Sequence, residues 1–220
     1  MNKHSKALNT AIVLGATGLI GKKLLDRLAK EQGIGKIVAI TRRPVKYNST
    51  KIFNEVINFD EIEKHSDIFR GDILFSCLGT TVKQAGSYKE QRKVDFEYQY
   101  KVAEISAKNE VHHYILVSSS GASAKSRSPY FKMKGLLENE ASSLSFKRIS
   151  ILQPSLLTGE REAFRLGETL ASWVLPLLCK LPYLKKYRPI SGDDVAKKMV
   201  SISLSAGKPK EIYRLDELFS

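Results

Sequence analysis

The segment Gly15-Ala16-Thr17-Gly18-Leu19-Ile20-Gly21 places a glycine at every third residue. That spacing suits a phosphate chain. Gly15 permits a tight strand-to-helix turn, Gly18 lets the backbone approach a pyrophosphate with no Cβ between them, and Gly21 lets a helix pack closely on a strand. Thr17, Leu19 and Ile20 complete the loop, and a helix opening there adds N–H groups and a positive dipole end toward the phosphates. A second strand follows at about the 20-residue distance of a mononucleotide-binding unit and ends in Thr41-Arg42-Arg43. An acid at this place serves an unphosphorylated ribose, whereas two guanidinium forks suit a 2′-phosphate. The expected cofactor is therefore NADP(H), in preference to NAD(H). After the third strand, Asp60 is placed either to accept from an adenine amino group or to cap the next helix. Leu78, Gly79 and Thr80, after the fourth, are expected along the adenosine side. The plainer alternatives are a turn of convenient glycines and a solvated basic turn before Pro44; the strand–glycine–helix–strand order favours the cofactor.

These residues need a sheet to hold them. Short runs rich in β-branched residues occur at Ala11 to Gly15, Lys36 to Thr41, Glu55 to Phe59, Asp72 to Cys77, His113 to Ser118 and Arg148 to Gln153, with helix-length segments between. The alternation predicts an α/β fold of the Rossmann type, a doubly wound, mainly parallel sheet with helices on both faces and a small C-terminal lobe. Ile20, Leu24, Leu25 and Leu28 form the apolar stripe of the first helix, and Gly33 follows its end. Residues 118–129 are serine-rich and read as a mobile loop. Another helix is expected around Phe164 to Leu178, and Ser191-Gly192-Asp193-Asp194 reads as the cap of a further one. No linker divides the chain, so residues 1–220 are expected to form one domain, with about 160–220 contributing a substrate lobe.

Composition limits the classes. The chain has 220 residues, 42% of them hydrophobic, with 36 Lys and Arg against 23 Asp and Glu. Such a length buries enough surface to fold without disulfides or a structural metal, and no metal site is expected. Cys77 and Cys179, far apart, read as free thiols; with no apolar leader at Met1-Asn2-Lys3-His4, the expectation is a cytoplasmic protein. The apolar stretch Leu170 to Leu178, interrupted by Pro176, is too short to span a bilayer. Beside plain core or lobe packing, it is a candidate face for a homodimer or a protein partner, a lid over an apolar substrate, or a peripheral membrane attachment. The net charge of +13 is dispersed and accompanies no nucleic-acid-binding motif, which argues against a nucleic-acid partner.

Taken in order, GATGLIG, CLGTT, VSSSGA, YFKMKG and QPSLLTGERE resemble the short-chain dehydrogenase/reductase superfamily. Within it, the chain is most similar to the small atypical members grouped with the Tat-interacting protein TIP-thirty/CC-three. The resemblance implies a Ser, Tyr, Lys catalytic set, matched here by Ser119, Tyr130 and Lys134, with Ser120 as the alternate serine. Ten residues or so separate serine from tyrosine, a short gap for the superfamily. It also implies that Lys134 holds the nicotinamide ribose and that Pro154 and Leu156 border the nicotinamide. In such a set the tyrosine exchanges a proton with a carbonyl or alcohol oxygen. A phenol titrates near 10, and a cation about 5 Å away at an effective dielectric near 20 favours the phenolate by roughly 3 kcal/mol, a little over two pKa units. Tyr47 and Lys51 repeat the spacing in the loop after the second strand, so position after the fifth strand, not spacing, selects Tyr130. The function expected is an NADP(H)-dependent oxidoreductase acting on a small carbonyl, alcohol or sugar-like substrate. The alternative is a non-catalytic NADP(H)-binding regulator that engages a protein partner.

Overall fold

A computed structural model describes residues 8–158 and 188–219. Strand β1 (Asn9–Leu14) is buried from Ala11 to Leu14, because helices cover both faces of the sheet at its centre. Around it lie β2 (Ile34–Thr41), β3 (Ile52–Val56), β4 (Ile73–Ser76), β5 (His113–Val117), β6 (Arg148–Gln153) and β9 (Lys210–Arg214). They form one seven-stranded sheet in the order β3-β2-β1-β4-β5-β6-β9, and every neighbouring pair is parallel. The expected Rossmann fold is thus the observed one. Connections depart in opposite directions from β1 and β4, which leaves a crevice beyond their carboxyl ends. A separate parallel pair joins β7 (Leu157–Thr158) to β8 (Ile190–Ser191).

One face of the sheet packs on helix α1 (Leu19–Leu28) and helix α6 (Gly192–Leu204). The α1 stripe is buried as its periodicity predicts, through Ile20, Leu24, Leu25 and Leu28. Arg27 clamps α6 with a forked pair of bonds to Asp193, at 3.0 and 2.7 Å, and Ser191 caps α6 by accepting the Asp194 N–H at 3.0 Å. The other face packs on a 3-10 segment (Phe59–Ile68), helix α4 (Tyr98–Lys108) and helix α5 (Pro129–Ser142). Two short helices, α2 (Val82–Ala85) and α3 (Tyr88–Arg92), follow β4.

Several expectations need correction. The third strand lies three residues earlier than its apolar pattern suggests, because Asn58 accepts the Asp60 N–H at 3.1 Å and turns Phe59 into the 3-10 segment. The described part of the segment expected as a lobe builds the main body instead: α6 packs on α1, and β9 closes the sheet. Its charged sequence KEIYR hides a strand, since an edge strand tolerates charges and Glu211 pairs with Arg148 of β6 at 2.7 Å. The serine-rich loop is tied down. Ser123 donates its N–H to the Phe131 carbonyl at 3.0 Å, and a Cβ on Gly135 would stand 2.2 Å from Ser123 C, so the loop lies directly on α5. The helix expected at Phe164 to Leu178, the apolar stretch Leu170 to Leu178 and Cys179 lie outside the described residues.

Candidate functional site

The three glycines of the first loop answer to different constraints. Gly15 has φ +84°, in the left-handed region, and a Cβ there would stand 2.6 Å from the Leu78 nitrogen. At Gly21 a Cβ would stand 2.2 Å from the Gly15 carbonyl oxygen. Both are therefore required by the protein's own packing. Gly18 is less constrained: its φ of −75° suits any residue, and a Cβ would stand 3.2 Å from the Gly15 carbonyl oxygen, a close contact that asks the loop to give slightly. Gly18 lines a cleft of about 850 Å³, within the range of cofactor and ligand sites.

Gly15, Thr17, Gly18, Leu19 and Ile20 line this cleft together with Arg42, Asp60, Leu78, Gly79 and Thr80. Four chain segments far apart in sequence thus meet at the crevice between β1 and β4. Gly21 is buried behind the loop, and Arg43 is exposed beside the wall without lining it. The basic turn is held by a polar lock. The Asn54 amide donates to Ala39 O at 3.0 Å and to the Thr41 hydroxyl at 2.8 Å, while its oxygen accepts the Val45 N–H at 2.7 Å. The Thr41 hydroxyl in turn donates to Arg43 O at 2.8 Å. Asp60 does not cap its helix, since Asn58 does. Lys93 at 2.5 Å and the Tyr98 hydroxyl at 2.6 Å both engage Asp60 Oδ1 and hold its carboxyl below the usual range, Lys93 foremost. Oδ2 takes part in neither bond. Cys77, a free thiol, also borders the cleft; burial pushes it up to about 12, which leaves it an inert thiol at neutral pH.

Ser119, Tyr130, Lys134, Pro154 and Leu156 do not line that cleft. They follow or face the carboxyl ends of β5 and β6. Tyr130 and Lys134 are one turn apart on α5, the first half-buried and the second 4% exposed. Ser119 and Tyr130 share no hydrogen bond; the Ser119 hydroxyl points to Ser120 O at 3.4 Å, and Ser120 donates its N–H to Pro154 O at 2.8 Å. Leu156 O accepts the Ile190 N–H at 2.9 Å, which starts the β7–β8 pair.

Beneath these groups lie polar residues that sequence reading passed over. Glu138, one turn beyond Lys134, accepts from the Ser118 hydroxyl and from Gln153 Nε2, the latter at 3.0 Å to each carboxylate oxygen. Gln153 Oε1 accepts from Arg214 Nε at 3.2 Å. The ends of β5, β6 and β9 are thereby fastened to α5. Asp95, 1% exposed, stands 3.7 Å from Lys134 Nζ. The signal available in sequence was the recurrence of Tyr130, Lys134 and Glu138 at helical spacing among Met133, Leu137 and Ala141, which puts charges on a buried face.

A model of the NAD dependent epimerase/dehydratase family matches residues 11–142. The chain belongs to this family. It is 34% identical over 206 residues to the Eremothecium gossypii "Protein FMP52, mitochondrial", covering 91% of each chain. To the Rattus norvegicus "Protein HTATIP2" it is 34% identical over 166 residues, 74% of this chain and 68% of that one, in keeping with the resemblance to the Tat-interacting-protein group. Among solved structures, MoeE5 in complex with UDP-glucuronic acid and NAD superposes with a TM-score of 0.69 at 15% identity, covering 94% of this chain and 76% of that chain. The Lactococcus lactis oxidoreductase ylbE gives 0.63 at 20% identity, covering 89% and 84%. Both share the fold. The cytoplasmic placement does not stand, because the relatives from Eremothecium gossypii and Saccharomyces cerevisiae are named mitochondrial proteins. Unpaired cysteines report a reducing environment and do not tell one reducing compartment from another.

Proposed function

We propose that this chain is an NADP(H)-dependent oxidoreductase of the short-chain dehydrogenase/reductase type, acting on a small carbonyl, alcohol or sugar-like substrate. The observation that carries the reading is Arg42 in the wall of the cleft that the glycine loop also lines, with no acid at the end of β2. Gly15 through Gly21 would hold the pyrophosphate at the α1 N-terminus, and Arg42, with Arg43 beside it, the 2′-phosphate. Asp60 Oδ2 would accept from the adenine amino group, and Leu78, Gly79 and Thr80 would border the adenosine. Lys134 would hold the ribose hydroxyls near Tyr130, and Pro154 and Leu156 would border the nicotinamide. When bound, that ring supplies or takes the hydride. Tyr130 gives or receives the proton on the substrate oxygen, poised by the Lys134 ammonium one turn away, and the Ser119 hydroxyl polarises that oxygen. We read the whole chain as one Rossmann domain.

Titration calorimetry with NADPH and NADH tests the cofactor. NADPH binds more tightly, and Arg42→Ala with Arg43→Ala costs NADPH about tenfold or more while leaving NADH nearly unchanged, as for the loss of a charge-assisted bond. Equal affinities in the parent would defeat the assignment. NADPH oxidation across a panel of aldehydes, ketones and keto-sugars tests the activity. Tight NADPH binding with no turnover on any of them would favour the regulator instead.

A further inference from the structure

Asparagine is a poor strand former, because its side chain competes for backbone hydrogen bonds, yet Asn54 stands at the centre of the edge strand β3. Its side chain is fully employed there. Asn54 pairs in register with Ala39 of β2 and donates through Nδ2 to Ala39 O at 3.0 Å and to the Thr41 hydroxyl at 2.8 Å, while Oδ1 accepts the Val45 N–H at 2.7 Å. Both donors and the acceptor are thus engaged. Reversing the amide would set its oxygen against the Ala39 carbonyl and its NH2 against the Val45 N–H, so the three partners fix one orientation. Thr41, 4% exposed, carries the lock onward: its hydroxyl donates to Arg43 O at 2.8 Å, and its carbonyl accepts the Ile57 N–H at 3.0 Å.

The turn after β2 is therefore anchored at Thr41, Arg43 and Val45, and the fixed φ of Pro44 stiffens it further. Arg42 lies between the first two anchors and lines the cleft, whereas Asn54 does not. Such anchoring matters to an arginine that must meet a phosphate, because a loose turn would have to be ordered on binding, at a cost in affinity. An unphosphorylated ribose offers the guanidinium no charge to meet and gains little from the anchoring. Resting on the NADP(H) reading above, we propose that Asn54 is a positioning residue for cofactor choice: it pins Thr41 and Val45 so that Arg42 is presented to a 2′-phosphate, and this sets the preference for NADP(H) over NAD(H).

Titration calorimetry with NADPH and NADH on four proteins tests the assignment: the parent, Asn54→Leu, the Arg42→Ala/Arg43→Ala variant, and the three substitutions together. Asn54→Leu keeps the approximate volume and deletes all three bonds. We expect it to cost NADPH about tenfold and NADH less than about threefold, and to speed hydrogen exchange at the Val45 amide of the free protein. With both arginines replaced, Asn54→Leu should cost NADPH less than about twofold further, because the group it positions is gone. A merely structural residue would weaken both cofactors together, and equally in both backgrounds. Thr41→Val, which deletes the hydroxyl joining Asn54 to Arg43, takes the place of Asn54→Leu in the same comparison if that variant does not fold. An unchanged ratio of NADPH to NADH affinity in the variant, or the same NADPH loss once the arginines are absent, would overturn the role of Asn54 while the NADP(H) reading stands. Equal affinities in the parent overturn that reading and this proposal with it.

Discussion

The chain contains two tyrosine–lysine pairs of identical spacing, and the fold treats them in opposite ways. Lys51 stands just before β3, at the amino edge of the sheet, and donates to Glu31 O at 2.7 Å, closing off the turn after α1. Tyr47 lays its ring against the core on the α1 face, where its hydroxyl is buried without a partner and burial raises its pKa. Tyr130 and Lys134 lie on α5 near the carboxyl edge. Lys134 is buried against a carboxylate, and Tyr130, half-buried, has Phe131 as its aromatic neighbour at 5.4 Å between ring centres. The same four-residue spacing gives a structural strut in one place and, in the other, a half-buried phenol one turn from a buried, charge-compensated ammonium. Spacing places two side chains on one face; the environment decides whether they can exchange protons.

The largest effect expected from this contrast is on turnover. Tyr130→Phe should lower kcat by about 10²- to 10⁴-fold, the usual size of general acid–base assistance, while NADPH affinity by calorimetry stays parental. Tyr47→Phe should leave both untouched and change stability by less than about 1 kcal/mol in denaturant titrations, because the hydroxyl it deletes makes no bond. Parental turnover in Tyr130→Phe, or loss of turnover in Tyr47→Phe, would reverse the roles of the pairs.

Next in size is a contrast within the glycine loop. Gly18→Val should lose NADPH binding by about 100-fold or more at a small cost in stability, since its Cβ meets the Gly15 oxygen only at 3.2 Å while its bulk crowds the loop where a pyrophosphate would lie. Gly21→Val should instead destabilise the protein by about 3 kcal/mol or more, because its Cβ would fall 2.2 Å from the Gly15 oxygen. Thermal melts and calorimetry on the two variants read both effects. A Gly18→Val protein that folds and still binds NADPH would reduce the loop to a turn.

The smallest effect sharpens the amino edge as a purely structural region. His113 begins β5 and is 7% exposed, with its Nε2 at 2.9 Å from the Ser150 hydroxyl. Burial, and then Arg148, push it down from 6.5 to about 4. Its neutral form is the folded one, so below pH 6.5 the unfolded chain takes up a proton that the folded chain refuses. Stability is full above that pH and falls by roughly 2 kcal/mol as the pH drops toward 4. Urea titrations at pH 7 and pH 4.5 should show the loss, and His113→Gln should remove most of that pH dependence. An unchanged pH dependence in His113→Gln would assign it to the carboxylates.

What was legible in the sequence is what short-range order controls. The α1 stripe, the glycine loop, Arg42 at the end of β2 and most strands of the sheet follow from propensity and periodicity within a few residues, and the structure has them where the pattern puts them. Asp95 and Lys134 are far apart in the chain, as are Glu138 and Gln153 and the strands β6 and β9. Each of these residues reads locally as a solvated polar side chain. Burying a charge is tolerable only when its counter-charge arrives from another element, and that arrival depends on how α4, α5 and the sheet pack. The tertiary structure therefore decided which lysine is compensated, which glycines the protein's own packing requires, and where the strand that pairs with β6 lies.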